Sequence, residues 1–373
     1  MTRSNSRTLT TLILAMTAAA SPFISLVSRA QNTPAHQSEA TIPQLEKDIP
    51  AEMKTHAVPG ASIALIRNGK TTWLQAFGTK NVKTNAQVTT DTTFEAASLS
   101  KPVFAYGVLK LVDQGKLNLD TPLTTYLPKP YAPDPRLNKI TARLVLSHRT
   151  GFPNWRNDDG LPIYFTPGTR FSYSGEGYIY LQKVVEQITG KPLNDYMTEA
   201  VFTPLKMTST SYIWRPAFDA VTATGHDENG APTDKWKPNE AGAASTLNTT
   251  AKDYALFVEA ILNQKGLKPA TFREMETPQI ALDPTCRICI KQEPTHLSDN
   301  LFWGLGWGIQ RTDGHEYLWH WGDNGSFKAF VMLNPKSKSA IVLFANSTHG
   351  LALAEPVVNE AMSTQSPAFP WLK

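Results

Sequence analysis

The spacing of apolar positions changes character along this chain. Near the start, Ala61–Ile66 and Thr72–Phe77 are β-rich runs on either side of Asn68-Gly69. Asn-Gly between two such runs predicts a hairpin, because both central residues of a type I′ turn need positive φ. Near the end, Phe330–Leu333 and Ala340–Phe344 flank the turn-forming cluster Asn334-Pro335-Lys336-Ser337, and a last helix is expected over about Leu351–Met362. The middle repeats at helical spacing instead. Phe104, Val108 and Leu111 stop at Gly115, Leu181, Val184, Val185 and Ile188 stop at Gly190, and Tyr254, Phe257, Val258 and Ile261 follow a capping-box-like Thr250–Asp253.

Strands at both ends with helices between them predict an α/β (α+β) chain. The expected architecture is an antiparallel sheet of N- and C-terminal strands flanked by helices, with an inserted mostly helical region. Residues 31–97 plus 300–373 are assigned to the sheet and 98–299 to the helical part, together one unit. Short turns between neighbouring strands argue against a parallel doubly wound sheet.

Residues 1–30 read differently. Arg3 and Arg7 precede an apolar stretch from Leu9 to Ala20, and Ser28-Arg29-Ala30 offers small residues for cleavage, as does Ala20. This segment is expected to be a signal peptide, so the protein is expected to be exported, to the periplasm or beyond. The apolar run is short for a membrane span, and no cysteine follows the cleavage site, so no stable membrane anchor is expected. The chain carries a formal charge of +4, but three of its arginines lie in this segment, leaving 33 Lys+Arg against 32 Asp+Glu. Nucleic acid is therefore not an expected partner. Cys286 and Cys289 are the two cysteines. A local disulfide is the plainest reading in an oxidising compartment, since zinc would need two more ligands and only His296 is near. No motif asks for a metal or an organic cofactor.

Ser98-Leu99-Ser100-Lys101 lies where an extended stretch, Thr93–Ala97, meets the helix carrying Phe104. Three residues is nearly one helical turn, so Ser98 and Lys101 face the same way. Free N–H groups at a helix start favour developing negative charge, and a lysine kept dry has a lowered pKa and accepts a serine proton. Alone the pattern is weak, because a capping serine followed by a surface lysine looks identical. Tyr173, in Phe171-Ser172-Tyr173-Ser174-Gly175, could shuttle a proton if neighbouring cations depress its pKa. His320, in Trp319-His320-Trp321-Gly322-Asp323, could donate to the tyrosine or to substrate, and Gly322 permits a close backbone approach. Trp303, Trp307, Trp319 and Trp321 read at least as well as core as they do as an acyl pocket.

In that order the three segments resemble the serine β-lactamase and penicillin-binding protein superfamily, nearest its class C-like branch. That branch includes D-alanyl carboxypeptidases, D-aminopeptidases and β-lactamase-like esterases. Its Ser-x-x-Lys, Tyr-x-Asn and Lys- or His-x-Gly elements are matched by Ser98–Lys101, Tyr173 and His320–Gly322. Val58-Pro59-Gly60, Leu146–Gly151 and Pro204-Leu205-Lys206-Met207 resemble further family segments. The resemblance implies a β-lactamase/transpeptidase-like fold and an acyl-enzyme on Ser98, with Lys101 and Tyr173 moving protons. It also implies an oxyanion hole from the N–H groups of Ser98 and Asp323. Two departures stand out: Gly175 replaces the asparagine, removing a side-chain amide, and His320 replaces the usual lysine. A neutral imidazole beside Asp323 is a poor anchor for a carboxylate, so esters or uncharged D-amino-acyl amides are the expected substrates. The alternatives are a D-alanyl carboxypeptidase or class C-like β-lactamase acting on peptidoglycan-derived molecules, and a binding or sensor protein that keeps the pocket without turnover.

Overall fold

The structure, a computed structural model, describes residues 41–157 and 160–373. The expected signal peptide lies outside the described residues. Among those described, no helix is long and apolar enough to cross a membrane.

The first hairpin forms where Asn-Gly requires it. Strands β1 (Gly60–Arg67) and β2 (Lys70–Asn81) are joined by Asn68 at φ +52° and Gly69 at φ +71°. The remaining strands are β3 (Ala86–Gln87), β4 (Phe94–Glu95), β5 (Asn248–Thr249), β6 (Ile280–Ala281), β7 (Leu301–Trp303), β8 (Gly308–Thr312), β9 (His315–Asp323), β10 (Lys328–Asn334) and β11 (Ser339–Ala345). The larger sheet has the order β3-β2-β1-β11-β10-β9-β8-β7-β6. Every neighbouring pair in it is antiparallel. Pairing of β1 with β11 joins the two ends of the chain at the centre of the sheet, as the β-rich ends predict.

Helices cover both faces, which is why every residue of β10 and β11 is buried although the strands are antiparallel. Helices α1 (Ile42–Thr55) and α5 (Gly350–Met362) pack Leu45, Ile49, Val357 and Val358 against Ile63, Leu343, Phe330 and Trp319. Alternate residues of the same strands, Ala64, Val342, Val331 and Leu318, join the opposite core with α2 (Ser100–Asp113), α3 (Gly175–Thr189) and α4 (Ala251–Leu262). The helix stops fall where expected: Gly190 ends α3 in the left-handed conformation. The capping box at α4 is only half made. Thr250 accepts from the Asp253 N–H, but the Asp253 carboxylate turns to the Ser209 N–H and the Thr210 hydroxyl instead.

Asn263, at the end of α4, donates through Nδ2 to the Gly69 carbonyl at 2.7 Å and fastens the hairpin turn to the helical layer. A Cβ at Gly69 would lie 2.5 Å from Asn263 Oδ1. Gly69→Ala is therefore predicted to lower stability by roughly 1–2 kcal/mol, from positive φ and this clash together. Urea unfolding with an unchanged m-value would show it.

Candidate active site

The site begins with a short strand that stops early. Thr93 bridges to Thr222, and the strand proper is Phe94–Glu95, whose partners are Thr249 and Asn248; it does not run on to Ala97 as the sequence suggests. Ala97 takes φ +49°, and Ser98 sits in a 3₁₀ turn, Ala97–Leu99, ahead of α2 rather than in its first α-helical turn. A non-glycine residue in the left-handed region costs about 1 kcal/mol or more, and here surrounding bonds hold it. Ser100 Oγ donates to the Ala97 carbonyl and accepts from the Leu247 N–H, and the Ala96 N–H donates to the Leu247 carbonyl at 2.8 Å. The first backbone bond of the turn runs from the Leu99 N–H to the Ala96 carbonyl, so the Ser98 N–H precedes the bonded ladder.

Ser98 and Lys101 meet as the spacing predicts. Lys101 Nζ donates to Ser98 Oγ at 3.0 Å and to the Ala244 carbonyl at 2.8 Å. The Ala244 carbonyl is itself placed by α3, where Gln182 Oε1 accepts from the Ala243 N–H and Gln182 Nε2 donates to the Ala241 carbonyl. Lys101 is fully buried, and its amine lies 4.8 Å from the centre of the Tyr173 ring. Burial alone pushes its pKa well below the ordinary lysine value. Among the described residues, no carboxylate pairs with it.

Tyr173 is brought to the same place, but its expected acidity is overturned. Burial pushes the phenol up, and the opposing influence of Ser98 and Arg287 is weaker, so the hydroxyl keeps its proton. His148 brackets this tyrosine on both sides. Its backbone carbonyl accepts from the Ser172 N–H at 2.9 Å, its Nδ1 accepts from the Ser174 N–H at 3.0 Å, and its ring lies 4.3 Å from the Tyr173 ring. The sequence contains His148 within a recognisable loop but gives no signal of this role.

His320 is fully buried, its ring 5.4 Å from Trp303 and 6.3 Å from Tyr173. Burial first, and Lys101 second, bring its pKa down to about 3, so it is neutral as expected. Nδ1 lies 2.8 Å from the Trp321 carbonyl, which only an N–H can satisfy, leaving Nε2 as an acceptor. His320 therefore does not donate toward the tyrosine or a ligand, contrary to the sequence expectation. Tyr173 Oη, His148 Nε2 and His320 Nε2 are all buried polar atoms lacking a well-formed hydrogen bond. Such a concentration is uncommon away from functional sites.

The end of β9 supplies the backbone. Strand β8 reaches only as far as Gly308 opposite Trp319, so His320–Asp323 is flanked by β10 alone. The Asn324 N–H bonds to the Phe327 carbonyl, which makes 324/327 a hydrogen-bonded pair and 323/328 a non-hydrogen-bonded one. The Asp323 N–H is accordingly turned away from β10, onto the open flank. Gly322 fulfils its predicted purpose, since a Cβ there would lie 2.4 Å from the Ala96 carbonyl, beside Ser98. The negative charge expected of Asp323 reaches Tyr173, whose pKa it helps to raise, but it is offset by a neighbouring cation. The Asp323 carboxylate pairs with Lys328 and accepts from the Gly325 N–H. Glu95, two residues before Ala97, is buried with its pKa pushed up to about 7 and accepts from Asn324 Nδ2 at 2.8 Å.

Gly175 begins α3 with its N–H donated to Asn154 Oδ1 and its face covered by the Trp155 ring, neither of which the sequence reveals. Cys286 and Cys289 form a disulfide, and between them Arg287 accepts from the Tyr173 N–H through its carbonyl at 3.0 Å. The four tryptophans singled out in the sequence are buried core residues, although Trp303 touches both site histidines.

Comparison with known proteins places this geometry in context. A family model described as Beta-lactamase matches residues 45–359. Penicillin-binding protein 4 of Amycolatopsis lactamdurans is 28% identical over 319 residues, covering 78% of this chain and 81% of that protein. Protein flp of Staphylococcus aureus strain N315 is 24% identical over 331 residues, covering 81% of this chain and 62% of its own length. Among solved structures, the octameric penicillin-binding protein homologue from Pyrococcus abyssi superposes with a TM-score of 0.73 at 21% identity, over 88% of this chain and 78% of its own. D-alanine carboxypeptidase AmpC from Burkholderia cenocepacia gives 0.71 at 21% identity, over 86% and 97%. These two likenesses establish the fold.

The buried amine has a thermodynamic signature of its own. Between its depressed folded pKa and the ordinary 10.5, the unfolded chain binds a proton at Lys101 that the folded chain does not, so stability rises with pH across that window. Lys101→Met removes the burden and is predicted to raise Tm at neutral pH, with the gain shrinking as pH approaches 10.5. A variant less stable than the parent at pH 7 would contradict the neutral buried amine.

Proposed function

The chain belongs to the Beta-lactamase family, and we propose that it is an exported serine hydrolase that cleaves an ester or an uncharged D-amino-acyl amide through an acyl-enzyme on Ser98. The contact that carries the reading is Lys101 Nζ at 3.0 Å from Ser98 Oγ, made by an amine with no carboxylate partner among the described residues. A neutral amine there accepts the serine proton as Oγ attacks the substrate carbonyl. The oxyanion that forms is held by the N–H groups of Ser98 and Asp323. Tyr173, kept protonated by burial, gives its proton to the departing oxygen or nitrogen and is recharged from the lysinium. Water then attacks the acyl ester, its proton passing to the same pair, and Ser98 leaves as the free alcohol.

Charge supports an uncharged substrate. Lys101, His148 and His320 are all pushed toward neutrality, and Asp323 is paired with Lys328. A second reading, a D-alanyl carboxypeptidase or β-lactamase, is favoured by Arg287, whose guanidinium lies over the Trp321 ring close enough to influence Tyr173. That cation could receive a carboxylate that neutral His320 cannot. Export rests on residues 1–30 alone, and the secreted protein is predicted to begin at Gln31 or Ser21 on N-terminal sequencing.

Intact mass after treatment with a fluorophosphonate and with a penicillin tests the assignment. A Ser98-dependent adduct with the fluorophosphonate is expected, whereas an adduct that persists in Ser98→Ala overturns the nucleophile. Penicillin labelling as well would favour the second reading. Lys101→Met should slow acylation by about a hundredfold or more. Because burial lowers its pKa, acylation should fall only as pH drops through the folded Lys101 value, with no rise toward 10.5.

A further inference from the structure

The four residues Pro153–Arg156 are fastened along the segment that follows Tyr173. Ser174 Oγ donates to the Pro153 carbonyl at 2.7 Å, and the Gly175 N–H donates to Asn154 Oδ1 at 2.9 Å. The Glu176 N–H donates to the Asn154 carbonyl at 2.9 Å, and Arg156 Nε donates to Glu176 Oε1 at 2.9 Å. Tyr131 Oη donates to that same carboxylate. Bonds on both sides thus fix Trp155, yet its own side chain is 48% exposed. The rim of its six-membered ring lies on Gly175: a Cβ there would stand 2.7 Å from Cη2, 2.9 Å from Cζ3 and 3.0 Å from Cζ2.

Holding a large apolar ring half in water forgoes burial that a disordered surface tryptophan would also forgo, but here the immobilisation is already complete. A flat apolar group laid against the ring would recover that burial and find its partner preorganised. On the other side of Tyr173, Ile288 is 43% exposed, next to the Arg287 carbonyl that accepts the Tyr173 N–H. Exposed apolar residues thus stand next to the backbone partners of the tyrosine segment on both sides. At its centre His320 is neutral and Asp323 is paired with Lys328.

We infer that Trp155 is a specificity-determining residue whose exposed indole selects substrates carrying an aromatic or other flat apolar group beside the reacting carbonyl. The inference rests on the hydrolase reading above and names its substrate class. Gly175 belongs to the same device, because the ring takes the space that any side chain at 175 would fill.

The test compares rates of covalent labelling by two fluorophosphonates that differ only in an ethyl or a phenylethyl substituent, followed by intact mass on the parent, Trp155→Ala, Trp155→Phe and Gly175→Ala. The parent is expected to prefer the phenylethyl reagent. That preference, taken as the ratio of the two rates, should fall about tenfold in Trp155→Ala and largely survive in Trp155→Phe. Gly175→Ala, which forces the ring aside without removing it, should lower the ratio too. A ratio unchanged in both alanine variants overturns the inference even if both rates drop, since that is what loosening the tyrosine segment would produce. Failure of both reagents to label Ser98 in the parent would instead remove the hydrolase reading, and the inference with it.

Discussion

An amine taken out of water, with no counter-charge among the described residues, sets the terms for the rest of this molecule. Burial presses Lys101 toward the free base, and Ser98 Oγ and the Ala244 carbonyl hold it there. Any carboxylate close to it would restore the proton and end its usefulness as a base. The surroundings obey that restriction. Both histidines are neutral, Tyr173 retains its proton, Asp323 is drawn off by Lys328, and Glu95 is itself pushed toward the neutral form by burial. On the proposed function it is this exclusion of charge that lets the amine act as a base, and stability bears the cost.

Keeping that pocket dry needs several remote segments in register. The turn that carries Ser98 is tied to Leu247, the Ala244 carbonyl is set by Gln182 on α3, and Tyr173 is gripped by His148. The sheet contributes rigidity more than side chains. Strand β9 reaches Ser98 only because Gly322 lets it press on the Ala96 carbonyl. The left-handed Ala97 is held by its own share of these ties, the Ser100 hydroxyl on its carbonyl and the bonds to Leu247 on either side.

What the sequence disclosed and what it hid divide along a physical line. The Asn68-Gly69 turn, the stop at Gly190 and the Thr250 cap were legible because φ requirements and capping bonds are local. Ser98 and Lys101 were legible because helical spacing makes them neighbours. Tyr173 and His320 could be named from their motifs and His320 expected neutral, but the raised pKa of the tyrosine and the direction of the histidine's hydrogen bond could not, since they depend on burial and packing by residues far along the chain. The bracket formed by His148, the Ala244 carbonyl and the Trp155 ring on Gly175 depend on packing between segments with no periodic signature. The pairing of Asp323 with Lys328 needs only a hairpin register, and a charge count across the β9–β10 turn could have found it.

Strand β9 outruns β8, and that mismatch gives the sheet an edge in its interior. An ordinary edge strand invites pairing with other chains, which proteins suppress with charges, bulges or covering segments. Here the Trp321 carbonyl takes the His320 Nδ1–H, and the Asp323 N–H faces the open flank where Gly322 meets the turn of Ser98. The notch is thus set by strand lengths alone. Lengthening β8 by two residues would seal it without altering any side chain that the site uses.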